Sequence, residues 1–429
     1  MPATDSTSYD PMLKDQYHSR AILNSLQSLN HVQAWMEEVE ADPTQGRQHV
    51  IAKRTGRNHS FGSIGARGAL PQAGRSAFKK SLIDMRDCYM RVGIDRYTMN
   101  RARNDKGAFG EAWALEMESA VEDAAFHRNR MVWGYGAGVL AKVNGTHTAA
   151  TTLEVKAPGG VTGTTLPNRY LHGDADGGMF IAVLDGTTPT TIKGTATITA
   201  VNSDGTDVTI DSAITAADGD LVVIAQTATQ NSYNKEPEGL LAGVDDATYV
   251  AAYHNITRSA VPIENSTVVT SIGTLSQDAI QQLDDAVDIK VGDGPDTYAF
   301  EHGVARALIA LSEVDRRYVG ADLQRPDIGT TRNKKPSGKR ALVHGGKPCL
   351  VERDAPYGHW FGLKQSGWLR LTWPDTGWAE EGGGVMKWVD GFDEFTAYWM
   401  LFENYHNLYP ARNFIGTGIT TTQVTAHSY

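Results

Sequence analysis

Cysteine is nearly absent: the chain of 429 residues has two, Cys88 and Cys349. They lie far apart in the sequence, so they define neither a disulfide framework nor a zinc knuckle and read as buried thiols. No run approaches the roughly 20 consecutive apolar residues that a bilayer span requires. The start, Met1-Pro2-Ala3-Thr4-Asp5, has no basic-then-apolar layout of a secretory leader, so the expectation is a chain made and kept in a cytoplasm, with no membrane partner. Basic excess is missing too, with 40 Lys plus Arg against 50 Asp plus Glu and a net charge of −10. Counterion release needs surplus cations facing phosphate, so sequence-independent nucleic-acid binding is excluded as the main task. Such a chain could still enclose DNA without gripping it.

Signatures of catalysis are lacking as well. The glycines of Gly134-Tyr135-Gly136-Ala137-Gly138 follow a helix and precede strands, the reverse of a dinucleotide loop. Gly338-Lys339 and Gly346-Lys347 have neither the upstream Gly nor the following Ser or Thr of a phosphate loop. Asp174-Ala175-Asp176-Gly177-Gly178 lacks the later bidentate Glu of a calcium loop and reads as a turn. The 13 histidines are scattered, and His344, Cys349 and His359 have no tight metal-ligand spacing. No Gly-x-Ser-x-Gly elbow surrounds a serine. Glu37, Glu38, Glu40 and Asp42, ahead of Pro43, read as a solvated face. The loop carrying Arg332, Lys334, Lys335, Lys339 and Arg340 has no interleaved aromatics and also reads as solvated. No catalytic, cofactor or metal residue is assigned, and the expectation is a protein that is not an enzyme.

What is present is apolar material for more than one core, at 41% hydrophobic and 21% charged. Leu23, Leu26, Leu29, Val32, Met36 and Val39 recur at helical spacing within Leu13–Val39. His49–Arg75 alternates Arg54, Arg57, Arg67 and Arg75 with glycines and has few bulky apolar residues. It is either disordered or an arm that gains partners from another surface; the strand-forming stretch Phe78–Tyr97 favours a long hairpin. Phe109, Trp113, Met117, Val121, Ala124 and Arg128 mark one face of a long helix from Lys106 to Trp133. From Val139 to Thr229 the composition turns to Thr, Gly, Val, Ala and Asp in short alternating runs with Asp-Gly turns, a small all-β module that looks inserted. Helices are expected over Ser276–Ile289 and Gly303–Tyr318, and strands over Lys347–Val351, His359–Leu363 and Phe395–Leu408, an α+β layout.

In this order the segments resemble the major capsid proteins of tailed bacteriophages with the HK97-type fold. Gly346-Lys347-Pro348-Cys349-Leu350-Val351 is similar to that family's Gly-x-Pro-apolar strand, and Phe395–Ile415, passing Glu403 and Tyr409-Pro410, to its C-terminal strand. The resemblance implies an N-terminal arm (1–48), an extended hairpin called the E-loop (49–78), a peripheral domain with spine helix (79–138), an inserted β domain (139–232), an axial domain with connecting strands (233–385) and a peripheral C-terminal strand (386–429). It implies hexamers and pentamers of one chain in an icosahedral head enclosing double-stranded DNA, assembled in the host cytoplasm and residing in the virion. A separate scaffolding protein, a portal and a decoration protein are the implied partners, and no cofactor is. Arg54, Arg57, Arg67 and Arg75 would be inter-subunit contacts of the E-loop. Crosslinking members use an E-loop Lys and an Asn; Lys53 is present here, but Glu394 stands before Phe395, so noncovalent contacts are expected. The competing class is a secreted or surface carbohydrate-binding adhesin or enzyme, suggested by the β module and by Trp360, Trp368, Trp373, Trp378 and Trp388.

Overall fold

The computed structural model describes residues 31–40, 48–66, 68–96, 112–157, 170–175, 178–202, 206–316, 342–373, 377–380, 385–389, 391 and 393–421. A short helix α1 (His31–Trp35) leads into β1 (Glu37–Glu40), followed by β2 (His49–Gly56), β3 (Ala77–Ile83) and β4 (Arg86–Asp95). The long helix α2 (Ala112–Trp133) precedes β5 (Val139–Val143), β6 (His147–Lys156), β7 (Phe180–Leu184), β8 (Ile192–Val201), β9 (Asp207–Ala216) and β10 (Leu221–Ile224). Then come α3 (Leu240–Gly243), β11 (Ala252–Tyr253), β12 (Ile256–Thr257), β13 (Thr267–Val269), α4 (Gln277–Val291), β14 (Thr297–Phe300) and α5 (His302–Arg316). The last stretch holds β15 (Leu342–His344), β16 (Lys347–Val351), β17 (Trp360–Leu363), β18 (Trp368–Thr372), β19 (Gly377–Trp378), β20 (Lys387–Trp388), β21 (Glu394–Asn407) and β22 (Phe414–Gly416). The chain divides into two compact units, one of Met1–Leu29, Asp87–Asn129 and Asp375–Phe402, the other of Asn30–Arg86, Arg130–Pro374 and Glu403–Tyr429.

The larger unit is organised by the mixed sheet β13-β22-β17-β14-β16-β15. Successive side chains of a strand point to opposite faces, so a sheet covered on both sides is apolar at every position. Tyr298 and Phe300 of β14, Trp360 of β17 and Phe414 of β22 join Ile280, Leu283, Val287, Val304 and Leu308 of α4 and α5 on one face. Ala299, Phe361, Leu363 and Ile415, the intervening residues, join Val132, Trp133, Leu240, Trp368 and Tyr405 on the other. Gly362 has no side chain because a Cβ there would run into the Phe414 ring. α4 starts on the Ser276 hydroxyl, which accepts from the Ala279 N–H at 3.1 Å, and ends at the left-handed Gly292, as capping rules lead one to expect. In the smaller unit Val92, Ala120 and Ala397 form a core with Met90, Met117, Trp378 and Phe395 around it.

Strands β5 to β10 close into a barrel in the order β10-β5-β6-β9-β8-β7, which is the all-β module expected over Val139–Thr229. The buried Asp220 caps it, accepting from Lys193 Nζ (2.7 Å) and from the backbone N–H groups of Gly186 (3.0 Å) and Ala217 (2.7 Å). The glycine run ahead of it is a neck: Gly138 has φ +71°, and a Cβ there would lie 2.5 Å from the Ser232 carbonyl oxygen. The Asn234 N–H donates to the Ala137 carbonyl (3.1 Å), and a buried pair joins Arg130 Nη1 to Glu236 Oε2 at 2.9 Å. The barrel's two connections therefore leave side by side.

Two expectations change. The helix over Leu13–Val39 ends at Trp35 in the described residues, and Glu37–Glu40 is a strand parallel to β18. Pairing with a waiting sheet edge overrides both the helical period and the helix preference of the three glutamates. Glu38 is accordingly not a purely solvated acid, since Arg370 Nη2 (2.8 Å) and Thr372 Oγ1 (3.1 Å) donate to it. The stretch Phe78–Tyr97 is two strands, and the hairpin's return strand runs to Ile83. Residues 1–30, the start of the long helix before Ala112, and the basic loop Arg325–Arg340 lie outside the described residues.

Candidate functional site: the extended hairpin and its root

β2 and β3 pair antiparallel from His49↔Ile83 to Gly56↔Ala77, with a register shift at Arg54/Gly56. The period of two divides β2 cleanly: Val50, Ala52 and Arg54 are exposed, while Lys53, on the opposite face, is buried. Beyond the ladder, residues 57–66 and 68–76 form an extended tip with local contacts such as Ser60 N–H to Asn58 Oδ1 (2.9 Å) and Gly68 N–H to the Gly65 carbonyl (2.9 Å). Gly74 lets the two arms approach, because a Cβ there would sit 2.5 Å from Asn58 Oδ1.

Arg54, Arg57 and Arg75 are exposed, and among the described residues none forms an ion pair; Arg54 Nε donates locally to the Gly56 carbonyl at 3.3 Å. Arg67 lies outside the described residues. Beside these arginines stand apolar side chains that a reading of the segment as poor in bulky residues underrated. Phe61 is 96% and Leu70 82% exposed, with Phe78, Val50 and Ile64 also exposed. Their spacing follows no period, so patterning gives no warning of them.

The root is seated on polar groups. Lys53 is 8% exposed; its Nζ donates to the Asn407 carbonyl (2.9 Å) and lies 3.8 Å from Glu264 Oε2. The Leu82 N–H (3.0 Å) and the Ser81 hydroxyl (3.5 Å) both donate to the His254 carbonyl. Arg86 Nη2 donates to Glu238 Oε1 at 3.2 Å, and Asn404 Nδ2 to the Asp84 carbonyl at 2.7 Å. Burial pushes the Lys53 amine down to about 8, with Glu264 working against that shift. Burial likewise raises the Glu264 carboxyl and lowers the His254 imidazole. Nothing in the sequence around Lys53 distinguishes it from a surface lysine except its place on the Ile51 face of the alternation.

The residues weighed earlier for metal chemistry do not converge. His359 Nε2 meets Tyr249 Oη at 3.2 Å, Cys349 Sγ faces the Lys347 carbonyl, and the His344 ring packs on Tyr298 and Trp360. Among the described residues no group of three or more His, Cys, Asp or Glu is arranged to hold a metal ion, and no helix is long and apolar enough to cross a membrane. Trp360 and Trp368 are fully buried, Trp378 is half-buried and Trp388 exposed. Cys349 is buried and Cys88 half-buried, both as free thiols.

No protein-family model and no curated protein matches this sequence. Solved structures match its fold. The capsid asymmetric unit of cyanophage A-1(L) is similar over 97% of this chain and 100% of its own, with a TM-score of 0.61 and 10% identity. The capsids of native and empty GTA particles are similar over the same shares of each chain, at TM-scores of 0.50 and identities of 10% and 11%. A likeness that spans both chains end to end at such identity is a likeness of fold. The fold of this chain is thus the α+β fold of these capsid structures, in keeping with the HK97-type resemblance of the sequence.

Proposed function

We propose that the chain is the major capsid protein of a tailed bacteriophage, whose copies self-assemble into hexamers and pentamers of an icosahedral head enclosing double-stranded DNA. The observation that carries this reading is the capsid fold across 97% of the chain, combined with a hairpin that leaves Phe61, Leu70, Arg57 and Arg75 exposed. In this reading residues 1–48 are the N-terminal arm, 49–78 the E-loop, 79–138 and 386–429 the peripheral domain, 233–385 the axial domain, and 139–232 an inserted domain on the outer surface.

Each E-loop lies over a neighbouring subunit. Arg54, Arg57 and Arg75, with Arg67, meet acidic side chains there, and Phe61 and Leu70 supply the apolar anchors that interfaces favour at their centre. Charge complementarity guides the encounter and fixes register, while apolar burial slows release. Each contact is weak, and repetition on every edge of the shell accumulates as effective concentration does. Lys53 is held within its own subunit by Asn407 and Glu264, which suits a shell locked by noncovalent contacts. A chain carrying −10 limits adhesion to packaged DNA, so the genome is enclosed without sequence-specific binding. A scaffolding protein, a portal and a decoration protein complete the set of partners. The carbohydrate-binding alternative loses its main support, because the two tryptophans at the heart of the Trp-rich stretch, Trp360 and Trp368, are core residues.

The test is negative-stain electron microscopy of the sedimentable fraction from bacteria expressing the chain, alongside the triple variant Arg54→Glu, Arg57→Glu, Arg75→Glu. Closed shells, tubes or six-fold capsomers from the parent and soluble, folded subunits from the variant are expected. Small uniform particles from the parent, with and without a co-expressed scaffolding protein, would reject the reading. Normal shells from the variant would reject the role of the arginines.

A further inference from the structure

The seat of the hairpin is built around two buried imidazoles, His254 and His406. His406, at the end of β21, is 0% exposed, and neither ring nitrogen has a hydrogen-bond partner among the described residues. Its ring stacks on Tyr253 (centroids 5.6 Å apart, planes 6° apart) and lies 4.9 Å from the His254 ring. His254 occupies the two-residue turn between β11 and β12, where it and Asn255 have φ of 44° and 68°. Asn, Asp and Gly are the usual occupants of such a turn. The imidazole in this place is therefore a side chain the backbone does not ask for.

The same two positions carry the hairpin. The His254 carbonyl accepts from Leu82 and Ser81, and the carbonyl of Asn407, next to His406, accepts from Lys53. The two rings thus stand on, or next to, the backbone acceptors on which the root of the hairpin rests.

Charge at the seat is balanced only while both rings are neutral. The hairpin brings His49 and Lys53, and Arg86 follows it. Glu238 comes from the segment before α3, Arg258 and Glu264 from the turns after β12, and Asp245, which pairs with Arg258, from the end of α3. Lys53, Arg86 and Arg258 thus face Glu238, Glu264 and Asp245, and Lys290 and Asp246 oppose each other further out. His254 Nε2 donates to the Tyr405 carbonyl at 3.0 Å, which leaves Nδ1 facing Glu238 Oε2 at 3.5 Å. A proton on His254 would find that carboxylate. One on His406 would find no carboxylate among the described residues: the Lys53 amine and the His254 and His49 rings face it.

We propose that this cluster is an acid-released latch: protonation of His406, with His254, expels the root of the hairpin from its seat while the barrel and the central sheet stay folded. Burial, and after it the nearby Lys53 amine, holds the His406 imidazole well below its ordinary range. The seated state therefore excludes a proton that the open state accepts. Opening then gains about tenfold per pH unit below about 6.5 for one ring that charges. A freed two-stranded hairpin is marginal in water, so its own ladder exchanges once the seat is lost. The inference concerns the single subunit and holds whatever the chain assembles into.

Hydrogen–deuterium exchange of the full soluble chain, corrected for the intrinsic pH dependence of exchange, reads this directly. Between pH 7.5 and pH 5, peptides covering 49–56 and 77–83 should lose protection by at least about tenfold, with peptides of the barrel and of α4 unchanged. In His406→Gln that acid response should largely vanish. Unchanged hairpin protection at pH 5, loss of barrel protection in step with the hairpin, or an undiminished response in His406→Gln would each overturn the latch. Exchange of the imidazole C2 protons in the unmodified chain needs no variant: His406 should titrate well below 6.5 and together with release of the hairpin. An ordinary midpoint near 6.5 without release would also overturn it.

Discussion

The barrel of β5–β10 and the hairpin of β2–β3 are both β structure in one compact unit, yet they solve opposite problems. The barrel has no free edge: six strands close on one another, and Ile181, Val183, Leu184, Val222 and Val223 are fully buried within it. Every backbone group of such a closed sheet finds its partner inside. The hairpin has two strands, two open edges and an exposed tip, and two strands alone are marginally stable. What fixes it is a polar root, Lys53, Ser81, Leu82 and Arg86 on acceptors elsewhere in the unit. Closure makes a region self-sufficient, and openness makes it dependent on a neighbour. Changes in the barrel should register as stability, and changes in the hairpin as association.

The sharpest way to break this contrast is Leu184→Ala. Leu184 is fully buried in the cluster with Val139, Ala182, Leu221 and Val223, and truncating a core leucine costs about 2–5 kcal/mol. Chemical denaturation should show a loss in that range, and hairpin exchange at neutral pH should stay as in the parent. A loss below about 1 kcal/mol would mean that the barrel carries little of its own stability.

Lys53→Met probes the root with a smaller and pH-dependent effect. The native amine is pushed down to about 8 from an ordinary 10.5. Between these values the unfolded chain holds a proton that the native state has released. Unfolded chains binding more protons make stability rise with pH, here by up to about 3 kcal/mol between pH 8 and 10.5. Buried tyrosines such as Tyr135, raised to about 12, act in the opposite sense above pH 10 and are common to both proteins. The difference between parent and Lys53→Met should therefore carry the alkaline rise alone. Parallel stability curves from pH 7.5 to 10 would place the amine in solvent and remove Lys53 from the seat.

Two strands of the central sheet, β16 and β17, the two helices beside it and the all-β module were legible in the sequence because their residues obey a period or a compositional shift. Lys347–Val351 was delimited to the residue, since Gly345 and Gly346 end the preceding turn and β-branched and apolar residues follow. Glu37–Glu40 was not, because a four-residue strand on an existing edge is decided by its neighbour. The hairpin was legible as an arm, from its glycines and arginines. Its root was not, because Lys53, His254 and His406 come from three distant segments, and no spacing in a sequence encodes that meeting. Phe61 and Leu70 escaped for a different reason: a side chain exposed on an extended tip has no fold partner to impose a period on it.

Phe61→Ala isolates that last class, and its effect on the subunit should be the smallest of all. At 96% exposure the ring contributes almost nothing to the folded chain, so stability should stay within about 0.5 kcal/mol of the parent. Covering a phenylalanine in a contact is worth about 1.5–3 kcal/mol, which is roughly a ten- to hundredfold weakening of each contact when it is removed. If the chain assembles as proposed, the critical concentration for shell formation, followed by light scattering, should rise accordingly. Salt separates this effect from that of the arginines: screening weakens exposed ion pairs and leaves apolar burial in place. The ratio of the two critical concentrations should therefore stay constant or grow from low to high salt. A ratio that collapses at high salt would mean that Phe61 acts only by positioning the charges beside it, and the tip would then be an electrostatic arm with an idle ring.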